Sequence, residues 1–287
     1  MLSPPPSPPA PTPPTLDHHV KEVIELRQKR QRIGHTWAAR VTPFSIDPHG
    51  TAVANMAAGS KVVHFVRHGE AQHNALAAVA GAKCGCKRRH PEGRDQPQAE
   101  CPYNAPTAMD APLTPVGLEQ ARKLAGTTAA ARGVELVASS PLRRTLQTSL
   151  HAFADASIPI VAHEDLREQI GMHQCDRRRD TAAIREEFGA RVDLRLLRST
   201  DELWTSQREQ KDSVADRCVR FVDWLMRRPE TTIAVAAHHH VLLVLFHCVL
   251  ETDEADLSGL RKPFAVGEMR TVHLSPSPQG RGGSEAS

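Results

Sequence analysis

The stretch KVVHFVRHGEAQHN, residues 61–74, carries an apolar run into Arg67 and His68, with Gly69 directly after. Three later stretches also end in polar groups. SSPLRRT brings Arg143 and Arg144, HEDLREQ brings Glu164, Arg167 and Glu168, and AHHH brings His238, His239 and His240. Each alone has an ordinary structural explanation, such as a satisfied histidine after a strand or a surface ion pair. Together they suit phosphate-ester chemistry. Arginine offers a planar, permanently charged fork that matches phosphate oxygens. A neutral imidazole is nucleophilic near pH 7 and can take a phosphoryl group covalently. A second imidazole can steady charge on the transferring oxygens. A carboxylic acid, its pKa raised by burial, can protonate the leaving alcohol. Glycine at 69 is expected to let the backbone turn and approach the phosphate.

The elements that must position these groups alternate. KVVHFV reads as a buried strand, and TPVGLEQARKLAGTTAAARG as a helix stopping at Gly133. VELVASS is a second strand, and PLRRTLQTSLHAFA a helix with Pro141 in its first turn. IPIVAHEDL gives a third strand, VADRCVRFVDWLMRRP a helix, TTIAVAA a fourth strand and HHVLLVLFHCVL another helix. EMRTVHL is a last strand. Such alternation predicts an α/β fold: a three-layer αβα sandwich on a mostly parallel central sheet. Ligands of these sheets collect at the carboxyl ends of the strands, where the polar groups lie.

The chain has 287 residues, 40% hydrophobic and 24% charged, which is ordinary for a globular protein. A net charge of +3 is too small to imply nucleic-acid binding. The run from Ile233 to Leu250 holds four histidines, so a strand and a helix explain it better than a membrane span. Six cysteines form no CxxC pair, which favours reduced thiols and a cytoplasmic location. Cys84, Cys86 and Cys101 with His90 match no common zinc spacing, so neither metal nor cofactor is expected.

Four regions follow. Residues 1–18, rich in proline, read as a disordered arm and a ligand for domains that grip polyproline; whether the arm also targets the chain is left open. Residues 19–60 read as an outlying helix and extension, 61–275 as the catalytic domain, and 276–287 as a flexible tail. The segment Ala80 to Gln98 reads as a surface loop, with a cap over the site as the other reading.

The order of the motifs carries a resemblance. VRHGE with Asn74, DAPLTPVGLEQA and SSPLRRTLQT resemble the histidine phosphatase (phosphoglycerate mutase-like) superfamily. LREQIGMHQCDRRRD, DELW and EMRTV narrow it to the plant and fungal phosphoglycerate mutase-like branch. The resemblance spans about Lys61 to Leu274 and implies that His68 is the phosphorylated nucleophile. It further implies Glu168 as proton donor, His238 as second pocket histidine, Arg67 and Arg143 on the phosphoryl oxygens, and Asn74 lining the pocket. The motif register leaves Arg144 as the alternative to Arg143, and His239 as the alternative to His238. Ala237 departs from the usual serine or threonine before the second histidine, and His239 and His240 are bulkier than usual.

The implied function is a metal-independent phosphatase of the histidine acid phosphatase type, acting on a small phosphorylated substrate. A phosphoglycerate mutase-type phosphotransferase is the first competitor, although the NERHYG segment of the glycolytic enzymes is absent. A non-catalytic phospho-ligand binding or scaffold protein on the same fold is the second.

Overall fold

The structure is a computed structural model that describes residues 18–33, 38–43, 58–80, 101–125, 133–155, 157–252 and 257–276. The readings made for the proline arm, for Cys84, Cys86 and His90, and for the C-terminal tail fall outside these residues.

Eight strands form one sheet: β1 Ala39–Pro43, β2 Lys61–Arg67, β3 Leu136–Ser139, β4 Ile160–Ala162, β5 Val192–Asp193, β6 Thr232–Ala237, β7 Leu250–Thr252 and β8 Met269–Pro276. Their spatial order is β5-β4-β3-β6-β2-β8-β1-β7. All neighbouring pairs are parallel except those of β8, which runs antiparallel to both β1 and β2. The central strands read as continuous apolar runs because helices cover both faces.

One face packs on α6 (Lys211–Met226), α7 (His239–Val244) and the π-turn Leu245–Val249 that continues it, with Val63, Phe65, Phe221 and Phe246 in the core. The other packs on α3 (Pro115–Leu124), α4 (Arg143–Ala152) and α5 (Thr181–Phe188), around Val66, Val137, Leu146, Ile160 and Ile184. This is the three-layer α/β sandwich that the alternation implies.

The N-terminal helix, α1 (His18–Arg32), is not the outlying extension its composition suggests. Val20, Val23 and Leu26 are buried in the main core. Burying three such side chains is worth roughly 5–9 kcal/mol before ordering costs. Its polar side is tied to α6: Lys29 Nζ lies 2.7 Å from Asp212, Arg30 2.9 Å from Asp216, and Glu22 pairs with Lys211. β1 likewise lies inside the sheet, between β8 and β7. The folded unit therefore includes elements from the 19–60 region.

Register decides where the chemistry sits. Arg67 pairs with Ala237, and Ser139 pairs with Ala236 on one side and Ala162 on the other. Strands β2, β6, β3 and β4 thus finish almost level. The residues that follow them, His68, His238, Ser140 and His163, emerge along one edge.

Candidate active site

The fold itself requires glycine at position 69. Its φ is not positive, but a Cβ on it would lie 2.5 Å from the Gly117 carbonyl oxygen, and a Cβ on Gly117 would lie 2.0 Å from the Glu70 oxygen. The end of β2 and the first turns of α3 therefore press backbone to backbone. Gln120 Oε1 accepts from the Glu70 N–H at 2.8 Å, and Thr114, which caps α3, donates to the Glu70 carboxylate at 2.7 Å. The LTPVGLEQ stretch is thus the clamp that holds the chain beside His68.

His68 is buried, and its Nδ1–H donates to its neighbour's carbonyl, Gly69 O, at 2.7 Å. This contact sets the tautomer and leaves Nε2 as the lone-pair nitrogen on a cavity of about 700 Å³. Burial first, then the neighbouring Arg144 guanidinium, with His238, Arg67 and His73 close by, push the His68 pKa well below its ordinary value. The imidazole is neutral, as a nucleophile must be.

The structure brings Arg67, Asn74 and Glu168 onto the same cavity. Arg67 is held by donation of Nη1 to Phe264 O at 2.6 Å. Asn74 Oδ1 accepts from the Ala71 N–H at 3.0 Å, half of a capping box opening α2 (Gln72–Ala80).

Arg143 is not among them. Its side chain is 34% exposed and pairs with Glu187 at 2.8 Å, while its backbone N–H donates to Asp110 at the start of α4. The buried arginine on the cavity is Arg144. It donates from Nη1 to Cys175 O (2.6 Å), from Nη2 to Asp176 Oδ1 (3.0 Å) and from Nε to His238 Nδ1 (3.2 Å). Of its five N–H donors, two remain for a ligand. One step along a helix rotates a side chain by about 100°, so only one of two adjacent arginines can face inward.

His238, rather than His239, lies beside His68, with ring centroids 5.1 Å apart. Both of its nitrogens are engaged: Nδ1 accepts from Arg144, and Nε2–H donates to Ser140 Oγ at 2.8 Å. The hydroxyl that Ala237 cannot supply comes from Ser140. His238 is thus held between Arg144 and Ser140 and is not among the residues that line the cavity.

Glu168 departs from the expectation of a raised pKa. Burial does push it up, but His240, His238 and the Gln169 N–H beside it outweigh burial and hold it well below the ordinary range. Gln169 N–H donates to Oε1 at 2.8 Å and His240 N–H to Oε2 at 3.3 Å, while His240 Nδ1 stands 3.6 Å from Oε1. Arg217 braces the segment from behind through the carbonyls of Asp165, Arg167 and Glu168. Arg167 faces away, held bidentately by Asp201 at 2.6–2.7 Å.

Several residues of the site had no role in the sequence reading. Asp176 binds both Arg144 and, at 2.7 Å, Arg208; burial alone would raise its pKa, but the two guanidiniums hold it at about 2. The signal was the CDRRRD stretch. His73, next to Asn74, is buried 6.0 Å from the His68 ring, and Tyr103 and His173 continue that wall. His173, Cys175 and Asp176 bring donor atoms within 4.8 Å of one another. A cation there would compete with two arginines for Asp176, and burial pushes the Cys175 thiol up, so this donor set suits a positive anion-holding floor better than a metal. From α1, His19, Glu22 and Lys29 form part of the cavity mouth.

Among the described residues, no helix is long and apolar enough to cross a membrane.

A sequence model of the histidine phosphatase superfamily (branch 1) matches residues 98–272, a range that starts after His68. An Arabidopsis thaliana phosphoglycerate mutase-like protein is 33% identical over 211 residues, covering 62% of this chain and 70% of the relative. The Arabidopsis phosphoglycerate mutase-like protein 2 is 27% identical over 273 residues, covering 75% of this chain and 74% of the relative. Among solved structures, the phosphoglycerate mutase of Bacillus anthracis str. Sterne is similar with a TM-score of 0.45 and 14% identity, over 76% of this chain and 92% of that one. The family model spans more than half of the sequence and its relatives share the description: the chain belongs to the histidine phosphatase superfamily, in its phosphoglycerate mutase-like branch.

Proposed function

We propose that the protein hydrolyses a phosphate monoester through a phosphohistidine intermediate on His68. The observation that carries this reading is the His68 tautomer: Nδ1–H is tied to Gly69 O, which leaves Nε2 as the lone-pair nitrogen of a residue that lines the same cavity as Arg67 and Arg144. In the first step Nε2 attacks phosphorus, the P–O bond to the alcohol breaks, and the Glu168 site gives the leaving oxygen a proton. Arg67 and Arg144 meet the charge on the equatorial oxygens, which is where preorganised donors lower the barrier most. In the second step water attacks phosphorus as the P–N bond to His68 breaks, and it passes a proton back to Glu168, releasing inorganic phosphate and neutral His68.

Hydrolysis is favoured over a mutase reaction by the outer cavity. Its lysines are matched, Lys29 with Asp212 and Lys211 with Glu22, so the described residues offer no second cluster of open cations for a bisphosphate. A substrate with one phosphate and an uncharged or mixed body fits this lining.

The test is turnover of a panel of phosphate monoesters by wild type and His68→Ala in the presence of EDTA. Turnover that survives EDTA and vanishes in the variant supports the reading. A wild type that turns over no ester between pH 4 and 8 replaces it with a non-catalytic ligand-binding role.

A further inference from the structure

Glu168 is an unusual general acid as placed. Two backbone N–H groups, from Gln169 and His240, point at its oxygens, and donors of that kind favour the ionised carboxylate. A carboxylate held ionised has no proton to give. The same environment supplies a partner that does. His240 Nδ1 lies 3.6 Å from Glu168 Oε1, within ion-pair range, and among the described residues His240 Nε2 meets no hydrogen-bond partner. Nδ1 of the imidazole is thus the group placed to exchange a proton with the carboxylate.

We infer that His240 is a positioning residue that shares the reaction's proton with Glu168, so that the proton delivered to the leaving oxygen belongs to the Glu168–His240 pair and not to Glu168 alone. The inference rests on the phosphohistidine reading above. The pair enters the first step with one proton. Glu168 gives a proton to the departing oxygen as the P–O bond breaks, leaving a carboxylate beside a neutral imidazole. The hydrolytic water returns one proton to the pair as its oxygen bonds to phosphorus and the P–N bond breaks. The cycle is proton-neutral.

The surroundings of His240 come from several elements. α1 sets the His19 ring edge-on against it, with centroids 4.2 Å apart, and Glu22 lies 3.5 Å from His19. His239 is its neighbour on α7, with a centroid distance of 5.3 Å. Lys211 and Asp212, at the start of α6, share the cavity mouth, each paired to an α1 residue. Across the cavity stands His173, which burial holds neutral with a pKa of about 4. Among the described residues, Glu168 is therefore the only carboxylate within ion-pair distance of His240. The N-terminal helix walls the pair off from bulk water on one side.

Two interacting groups lose their protons as a unit, and a pair with one proton stays a competent acid over a wider range than a carboxylate alone. His240→Gln keeps a polar side chain and the backbone N–H but cannot titrate. The experiment compares kcat between pH 4.5 and 9 for wild type and His240→Gln on glycerol 2-phosphate and p-nitrophenyl phosphate. An alkoxide needs the proton; p-nitrophenolate leaves without it. On the alkyl ester we expect the basic limb of the variant to move at least one unit toward acid and kcat at pH 7 to fall about 10- to 100-fold, within the usual span of general-acid catalysis. On p-nitrophenyl phosphate the loss stays under about threefold, because no proton is being supplied. Equal losses on both esters, as misfolding would give, or an unmoved basic limb would overturn the inference. His240→Asn, measured alongside, guards against one badly packed variant. If wild type itself turns over neither ester, or His68→Ala remains active, the phosphohistidine reading is what fails, and the two failures are told apart.

Discussion

Replacing Arg144 with alanine tests the site where two adjacent arginines compete for one role. The substitution removes three hydrogen bonds, to Cys175 O, Asp176 and His238, and leaves Asp176 with Arg208 as its remaining arginine. Breaking one partner out of a buried ion pair costs about 3–5 kcal/mol of stability. Loss of a preorganised donor on the transferring oxygens costs a further factor of about 10²–10³ in kcat. Arg143→Ala removes an exposed pair with Glu187, worth about 0–1 kcal/mol, and leaves the backbone contact to Asp110 in place. We expect its kcat/KM within about twofold of wild type, since no ligand contact is lost. Arg144→Lys separates folding from chemistry. It keeps a cation against Asp176 but cannot form the fork, so it should melt nearer to wild type and still lose at least about tenfold in kcat/KM. The assay is kcat/KM on one monoester, measured at least ten degrees below each melting midpoint. Full activity in Arg144→Ala, or equal losses in the two alanine variants, would refute the assignment.

Gly117→Ala should cut kcat by about tenfold or more, as sub-ångström misplacement near a reacting centre does, although the residue touches no ligand; steady-state kinetics check this. Val23→Asp on α1 puts a charge into the main core and should lower stability by more than about 3 kcal/mol in urea unfolding; a smaller loss would return α1 to the status of an appendage. His73, His173 and His247 have folded pKa values pushed down, chiefly by burial, to about 3, 4 and 4. Below the unfolded value of about 6.5 the unfolded chain binds the extra protons, so stability is fullest above that pH and falls as pH drops toward 4, by up to ~1.4 kcal/mol per unit for each group. Asp176, at about 2, stays charged throughout that window and does not offset the loss. Melting midpoints that rise between pH 6.5 and 4.5 would contradict the sign.

The central sheet was legible where strands are long and buried on both faces, as at Lys61–Arg67 and Thr232–Ala237, because each reads as an apolar run ending in polar groups. Strand β5, two residues long, and β7, three residues after a π-turn, have no pattern of their own and exist through pairing with neighbours. The N-terminal helix misled because its anchoring acids, Asp212 and Asp216, lie over 180 residues away in sequence. Arg67, His68 and Glu168 were readable as residues at or after strand ends, and Asn74 only through the family resemblance. Arg143 against Arg144 was not, since the answer depends on where α4 begins. The lowered Glu168 pKa was hidden for a similar reason: it depends on how α7 turns His240 toward the carboxylate.

The central claim is covalent chemistry at one nitrogen, and trapping that intermediate tests it most directly. Protein mixed with a turned-over monoester, quenched in base within milliseconds to seconds and digested, should carry phosphate on the His68 peptide, bonded to Nε2 and absent from His68→Ala. Phosphate on Nδ1 would contradict the tautomer set by Gly69 O. Turnover with phosphate on another residue, or with none on His68 under conditions that trap fast intermediates, would contradict the account as a whole.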